Sequence, residues 1–199
     1  MADELVRAAY STRAAEYTSL LGSVEDMHEL DRERIERWAQ GIDGQVIDIG
    51  CGPGHWTNFL HQRGVKVHGI DLVPEFIDSA RERFPGVPFQ VASFRDLDVP
   101  AGSLHGVLAW YSLIHVRPNE MPAVLSKIAG ALAPGGRLLI GFFQGGSAEP
   151  FEHAITTAHY WPVEQMRQML SETGFNVLNV EARQDSGKRP HAAIVATMQ

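Results

Sequence analysis

The sequence has few of the features that mark secreted, membrane-spanning or nucleic-acid-binding proteins. Its one cysteine is Cys51, so no disulfide can form within the chain and nothing indicates an oxidising compartment. No apolar run approaches the roughly 20 residues of a transmembrane helix, and no apolar stretch of a signal peptide follows the acidic start. The net charge of -7 disfavours phosphate backbones. We therefore expect a cytoplasmic protein whose partners are neither nucleic acid nor membrane.

The composition and the order of apolar segments predict one α/β domain. The chain has 199 residues, 44% of them hydrophobic, which is enough for one sizeable core. From residue 45 onward, strands alternate with helices, which predicts a parallel sheet covered on both faces. The last two predicted strands, 176–182 and 191–197, lie too close for a crossover helix and must pair antiparallel. The expected parts are a helical extension at 1–44, a core at 45–143, a lid-like insertion at 144–162, and a last helix with a terminal hairpin at 163–199.

A glycine-rich turn follows the first predicted strand. Gln45–Ile49 leads into Gly50-Cys51-Gly52-Pro53-Gly54 and then into a helix. Gly50 permits a sharp turn, and Gly52 lets a ligand approach the backbone without meeting a Cβ atom. In open α/β sheets such a turn lies at the carboxyl end of the strands, where ligands bind. The segment therefore predicts a nucleotide-binding turn.

The spacing and the neighbouring acidic residues narrow the choice of nucleotide. Gly-x-Gly-x-Gly differs from the Gly-x-Gly-x-x-Gly of dinucleotide sites, and no Gly-Lys-Ser/Thr follows. The carboxylate of Asp48 suits a cationic ligand better than a pyrophosphate. Asp71 ends the next predicted strand, where a carboxylate can accept hydrogen bonds from ribose hydroxyls. The alternative for Asp71 is a helix-capping or turn residue.

Three ordered segments resemble the motifs of class I S-adenosylmethionine-dependent methyltransferases. They are Val46–Gly54 for the first motif, His68–Asp71 for the second, and Leu132–Leu138 for the turn before the fifth strand. The resemblance implies a Rossmann-like, doubly wound seven-stranded sheet, mostly parallel with a reversed last strand, in agreement with the hairpin. It also implies S-adenosylmethionine as cofactor and S-adenosylhomocysteine as product. The small-molecule branch, with type 11/25-like domains, is the subset that the chain most resembles.

The resemblance also implies a set of cofactor contacts. Ser93 departs from many relatives, which have an aspartate there, so the adenine amino group loses a charged acceptor. Cys51 lies within the turn as a small filler, without the partner base of a catalytic thiol. The implied contacts are Asp48, Gly50, Cys51 and Gly52 for the methionine part, Asp71 for the ribose, Leu72, Ser93 and Phe94 for the adenine, Trp110 and Tyr111 flanking the cofactor, and Tyr10 (with Tyr17 as an alternative) closing over it.

His115, just past the fourth predicted strand, is the candidate general base, because its unperturbed pKa of about 6.5 suits proton transfer. The alternative for His115 is a structural or substrate-orienting role. His153 and His159 are further candidates, and Phe143 and Trp161 are expected to shape an aromatic acceptor pocket. No metal site is expected, since the residues around Trp110 include no carboxylate and the histidines show no ligand spacing.

The resulting hypothesis is metal-independent methyl transfer to a small molecule by in-line displacement. The alternatives are a non-catalytic protein that binds S-adenosylmethionine or S-adenosylhomocysteine, and a nicotinamide-linked oxidoreductase, which the glycine spacing and the terminal hairpin oppose. The acceptor atom stays open among oxygen, nitrogen, sulfur and carbon, and the protein is expected to be a monomer or a homodimer.

Overall fold

The computed structural model describes residues 2–199. Within them, helices and strands follow one another in the alternating order expected of an α/β protein. The helices are α1 (Ala2–Ser11), α2 (Ala14–Leu21), α3 (Glu29–Ala39), α4 (His55–His61), α5 (Pro74–Arg83), α6 (Met121–Ala131) and α7 (Val163–Glu172), with a short 3₁₀ helix at Phe94–Asp96. The strands are β1 (Gln45–Ile49), β2 (Lys66–Asp71), β3 (Phe89–Val91), β4 (Leu104–Trp110), β5 (Leu132–Phe143), β6 (Pro150–Phe151), β7 (Ala158–His159), β8 (Phe175–Arg183) and β9 (His191–Met198).

Seven of the strands form one sheet in the order β3-β2-β1-β4-β5-β9-β8. β1 to β5 pair in parallel, whereas β9 runs antiparallel to both β5 and β8. The predicted seven-stranded sheet with its reversed last strand and terminal hairpin is confirmed. Strand order reverses at β1, which lies between β2 and β4, so the carboxyl ends of these strands form the crevice where ligands bind in open α/β sheets.

The sheet is buried on both faces because its central strands are apolar at successive positions. Alternate residues enter different clusters: Val46, Leu108 and Leu139 pack with Trp38 of α3 and Phe59 of α4. On the opposite face the neighbouring strand residues pack with the apolar sides of α6 and α7. Helices on both faces make the fold doubly wound, as predicted.

The helical extension expected at 1–44 is not continuous. Its third helix, α3, begins at Glu29, because the Nδ1 atom of His28 accepts a hydrogen bond from the Leu30 amide and caps it. The extension also breaks at residues 12–13, which separates α1 from α2. The expected lid contains a small hairpin, in which β6 pairs antiparallel with β7. None of the helices in residues 2–199 is long and apolar enough to cross a membrane.

Candidate functional site

The glycine turn between β1 and α4 is hydrogen-bonded to β2, and its backbone at Gly52 is not covered by side chains. The Gly50 and Cys51 amides donate to the Ile70 carbonyl at 2.7 and 2.9 Å, which ties the turn to β2. Gly50 has a φ of 68°, and a Cβ atom there would lie 2.4 Å from the Cβ of Ser112. Gly52 has a φ of 53°, but a Cβ atom on it would find its nearest neighbour, Tyr17, at 4.0 Å. The backbone of Gly52 is therefore accessible to a ligand.

Asp48 lies just before this turn and is almost completely buried, with 2% of its surface exposed. Its Oδ2 accepts a hydrogen bond of 2.7 Å from the Thr57 hydroxyl. Burial raises the pKa of Asp48 to about 7, although the Thr57 hydrogen bond opposes the shift. Within residues 2–199 no lysine or arginine pairs with this carboxyl, so a cationic ligand at the turn would stabilise its charged form.

Asp71 ends β2 beside the turn and is also buried. Its carboxylate accepts the Gly52 and Val73 amides, each at 2.9 Å. Burial raises the pKa of Asp71 to about 6, and these backbone donors limit the rise. Asp71 therefore links β2 to the backbone of the turn. These hydrogen bonds give it the structural role of a turn residue, which was the alternative to ribose binding.

A cavity of about 1130 Å³ begins at the glycine turn. Ligand pockets usually measure about 300–1,000 Å³, so this space exceeds what one ligand needs. Its wall includes the expected residues Tyr10, Asp48, Gly50, Cys51, Gly52, Trp110 and Tyr111, followed by Phe143, His153 and part of the terminal hairpin. The structure thus brings together residues from both ends of the chain around one space.

The N-terminal helices cover the other expected cofactor residues. Tyr10 and Tyr17 pack edge-on at 5.6 Å, and both rings contact Phe76 of α5. Leu72 packs against the same cluster. Tyr10 and Tyr17 therefore lie over the end of β2, the position from which an aromatic lid could close.

The adenine end of the expected site is held by a contact that sequence reasoning missed. Ser93 Oγ donates to the Asp3 carboxylate at 2.7 Å and also accepts the Arg95 amide. Arg95 donates to the same carboxylate at 2.7 Å, and Phe94 is buried beside them. An acidic side chain from α1 thus approaches the place where Ser93 departs from many relatives, and no sequence spacing indicates it.

His115 is engaged at both ring nitrogens. Its Nδ1 is 2.8 Å from the Thr157 carbonyl and must donate to it, which leaves Nε2 as the acceptor for the Tyr10 hydroxyl at 2.9 Å. Burial lowers the pKa of His115. In this arrangement Tyr10 covers the nitrogen that a general base would use.

Aromatic rings form the end of the cavity away from the glycine turn. Tyr111 has a φ of 55°, the only positive value among non-glycine residues in 2–199. Its ring packs on Phe143 at 5.2 Å, and Phe143 in turn contacts Phe151 and His153. The expectation that Phe143 shapes a pocket is supported by its place in the cavity wall.

Two residues expected in this region, Trp161 and His159, lie outside the cavity wall. Trp161 is fully buried in the main hydrophobic cluster and packs under the sheet, so it does not shape the pocket. His159 is 8% exposed, and its amide pairs with the Ile114 carbonyl. His159 lies in β7 of the small hairpin, and Trp161 follows it and bridges to Gln144. The sequence of this segment has no periodicity from which that packing could be predicted.

Residues of α3 and of the terminal hairpin complete the cavity wall, and none of them was predicted. Arg183 at the end of β8 contacts Asp31 of α3 at 3.2 Å and Asp185 at 3.0 Å. Its Nε donates to His191 of β9 at 2.9 Å, and His191 is hydrogen-bonded to the Tyr111 hydroxyl. Only the terminal hairpin, which brings Arg183 opposite His191, could have suggested part of this network.

The sequence of this chain is similar to those of known methyltransferases. Residues 46–136 match a family model described as a methyltransferase domain. A ubiquinone biosynthesis O-methyltransferase of Xanthomonas axonopodis pv. citri is 31% identical over 147 residues, which cover 70% of this chain and 60% of that protein. The chain thus spans less than two thirds of the length of this curated relative.

Solved structures share the fold at low sequence identity. The 1,6-didemethyltoxoflavin-N1-methyltransferase of Burkholderia thailandensis, solved with S-adenosylhomocysteine, has a TM-score of 0.77 at 19% identity and covers 98% of this chain and 88% of that one. The [4+2]-cyclase SpnF has a TM-score of 0.82 at 16% identity, with 100% and 97% covered. The same fold therefore occurs in a protein named as a methyltransferase and in one named as a cyclase. Function has to be inferred from the residues of the site.

Proposed function

We propose that the protein transfers a methyl group from S-adenosylmethionine to a small-molecule acceptor. Two findings support this: residues 46–136 match the methyltransferase domain model, and the seven-stranded sheet has its antiparallel strand where the resemblance to class I methyltransferases leads one to expect it. The observation that carries the proposal is the pairing of an accessible glycine backbone at Gly52 with two buried carboxyls, Asp48 and Asp71, that lack a cationic partner within residues 2–199.

These residues fit S-adenosylmethionine. Its ammonium and sulfonium groups carry positive charge, which would relieve the cost of ionising Asp48 in a buried place. A carboxylate oxygen has two lone pairs, so Asp71 can accept ribose hydroxyls in addition to the backbone amides. A pyrophosphate would instead meet two carboxyls at the turn, which is electrostatically unfavourable.

We assign the cofactor contacts accordingly. Asp48 and the backbone of Gly50, Cys51 and Gly52 hold the methionine part. Asp71 binds the ribose, and Tyr10 covers it. The remaining contacts are Leu72, Ser93 and Phe94 at the adenine, and Trp110 and Tyr111 between the donor and acceptor sides. When bound, the cofactor supplies an activated methyl group on a good leaving group.

The protein's own contribution is to orient the acceptor and exclude water. The cavity continues from the glycine turn past Tyr111 to Phe143 and His153, which gives an acceptor a place next to the donor. His115 is the candidate base for an acceptor that carries a proton, and it can act only when Tyr10 releases Nε2.

The test is transfer of a labelled methyl group from S-adenosylmethionine to a panel of small metabolites, with S-adenosylhomocysteine measured in parallel. Labelled product and equimolar S-adenosylhomocysteine are expected. A matched reaction with the Gly52→Ala variant should give little of either. Absence of product over the whole panel from a protein that binds the cofactor would contradict methyl transfer.

The second candidate is a protein that binds the cofactor without transferring its methyl group. The observation that favours it is the likeness to a cyclase of the same fold. Under this alternative S-adenosylhomocysteine binds, but no labelled acceptor forms with any metabolite.

A further inference from the structure

The hydrogen-bond network behind Tyr111 determines which nitrogen of His191 carries a proton. Arg183 Nε donates to His191 Nε2 at 2.9 Å. An arginine side chain has only donors, so His191 Nε2 must be the unprotonated acceptor. Neutral His191 then carries its proton on Nδ1 and donates it to the Tyr111 hydroxyl oxygen. Burial and the Arg183 charge lower the pKa of His191, which supports the neutral form.

This tautomer leaves the hydrogen of the Tyr111 hydroxyl free. Because His191 already donates to the Tyr111 oxygen, the Tyr111 hydrogen cannot point back at His191. The Asp31 carboxylate behind Tyr111 is already in ion pairs with Arg183 and Arg34. Tyr111 lines the cavity beside Phe143 and His153, so its hydroxyl can donate to a group in that space. The left-handed backbone at Tyr111, with φ 55°, directs the chain sharply at the end of β4. Asp31 and Asp185 hold Arg183 in place behind the pair.

Two further histidines of this region have an occupied basic nitrogen. His153 Nδ1 accepts the Ile155 amide at 3.5 Å, so neutral His153 has its proton on Nε2. His115 Nε2 accepts the Tyr10 hydroxyl. His159 Nδ1 has no partner within residues 2–199, but His159 is buried outside the cavity wall. The nearby carboxylates Asp31 and Asp185 are paired with Arg183. The histidines in the wall at this end of the cavity thus have no free lone pair, and the cavity is offered hydrogen-bond donors.

A site that offers hydrogen-bond donors but no free base suits a methyl acceptor that is already ionised. A neutral alcohol or an ammonium must lose a proton before or during methyl transfer, and a base has to receive it. A carboxylate has no proton to lose at neutral pH, and hydrogen bonds from donors to its charged oxygens are strong.

We propose, on the premise of the proposed function, that the acceptor is a small carboxylic acid methylated on its ionised carboxylate, and that the Tyr111 hydroxyl binds this carboxylate. One carboxylate oxygen accepts the Tyr111 hydrogen bond, and the other forms the new bond to the methyl carbon. The carbon–sulfur bond of the donor breaks, its electron pair stays on sulfur, and no proton is released. The products are a methyl ester and S-adenosylhomocysteine.

The first test compares probes that differ only at the acceptor group. Benzoate, benzyl alcohol and benzylamine, and hexanoate with hexanol, are titrated calorimetrically into the protein saturated with S-adenosylhomocysteine. Both carboxylates should bind at least tenfold more tightly than their uncharged or cationic counterparts. The Tyr111→Phe variant should lose roughly tenfold to hundredfold of the carboxylate affinity. Tyr160→Phe, which makes the same chemical change outside the cavity wall, should change it less than twofold.

The second test reads the tautomer without any ligand. Nitrogen–proton correlation spectra of the histidine side chains distinguish the two neutral tautomers, and a His191→Gln variant assigns the signal. The proposal requires the Nδ1-protonated form of His191 in the folded protein. The Nε2-protonated form would overturn it.

The outcomes separate this proposal from the proposed function. If S-adenosylhomocysteine binds but the carboxylates show no preference over their counterparts, the carboxylate proposal is wrong and the proposed function stands. If S-adenosylhomocysteine does not bind, the proposed function itself fails and the carboxylate proposal falls with it. Loss of carboxylate affinity in a Tyr111→Phe variant that still binds one S-adenosylhomocysteine per chain supports both, since misfolding would abolish binding of the two ligands together.

Discussion

At the glycine turn, Asp48 and Asp71 are buried without a cationic partner in residues 2–199, whereas at the far end of the cavity Asp31 and Asp185 share Arg183. The turn therefore holds carboxyls whose charged forms are unfavourable until a ligand arrives. The carboxylates of the far end already have arginine partners, and this end presents oriented donors. The comparison suggests that the two ends recognise ligands differently: one by compensating charge, the other by preorganised hydrogen bonds.

The largest expected effect is the loss of S-adenosylhomocysteine binding in a Gly52→Ala variant. A Gly64→Ala variant controls for backbone strain. Gly52 and Gly64 both have positive φ, and a Cβ atom on either would meet no atom closer than about 4 Å. Gly52→Ala and Gly64→Ala should thus lose similar stability, about 1 kcal/mol. Only Gly52→Ala should weaken S-adenosylhomocysteine binding, roughly 10- to 100-fold, because its methyl group overpacks the ligand. Equal weakening by both variants, measured by calorimetry, would refute the contact.

The second prediction concerns the charge at the turn. Because the pKa of folded Asp48 is raised to about 7, the stability contributed by its protonated form is full at low pH and is lost as pH rises through about 7. Asp48→Asn should therefore melt at least ~2 °C higher than the unmodified protein at pH 8, and this difference should shrink towards pH 4.

The same variant should bind more weakly. At pH 8 we expect Asp48→Asn to lose about tenfold in S-adenosylhomocysteine affinity, because the ammonium loses a charged partner. Affinity of the unmodified protein should rise between pH 5 and 8, more steeply than that of the variant. Asp43→Asn, which alters an exposed carboxylate, serves as the control and should leave both slopes unchanged.

A third, smaller effect tests the far end alone. Asp31→Asn removes a charge that holds Arg183, so it should weaken benzoate binding several-fold and lower stability by about 1–3 kcal/mol. Calorimetry should find S-adenosylhomocysteine affinity within twofold of the unmodified protein. A comparable loss of both ligands would show that the two ends are not independent.

The smallest effect distinguishes the two roles considered for His115. General bases contribute about 10²- to 10⁴-fold to the rate. If the acceptor is ionised, His115→Gln should lower kcat less than tenfold, through the lost contact with Tyr10. A fall of a hundredfold or more with a carboxylate substrate would restore His115 as the base.

The same two ends differ in how far the sequence predicts them. The turn from Asp48 to Gly54 is local, so its glycines and its strand could be inferred from spacing, as could the sheet and its reversed strand. The Thr57 hydrogen bond to Asp48 was missed, although Thr57 lies in α4 directly after the turn. Nothing in the sequence around Thr57 distinguishes it from any other buried threonine.

The far end is assembled from residues that are remote in the chain. Tyr111, His191 and Asp31 meet only because the terminal hairpin pairs with β5 and α3 packs beside it. Hydrophobic periodicity predicts which segments are strands, but not which side chains meet across them. For the same reason the sequence analysis expected Trp161 in the pocket, whereas the structure buries it in the hydrophobic core.

The most direct test of the central claim is a calorimetric titration of the protein with S-adenosylhomocysteine and, separately, with NAD⁺ at pH 8. One S-adenosylhomocysteine should bind per chain, and NAD⁺ should give no measurable heat, because Asp48 attracts an ammonium and the buried carboxyls of Asp48 and Asp71 repel a pyrophosphate. Binding of NAD⁺ alone, or of neither ligand, would contradict it.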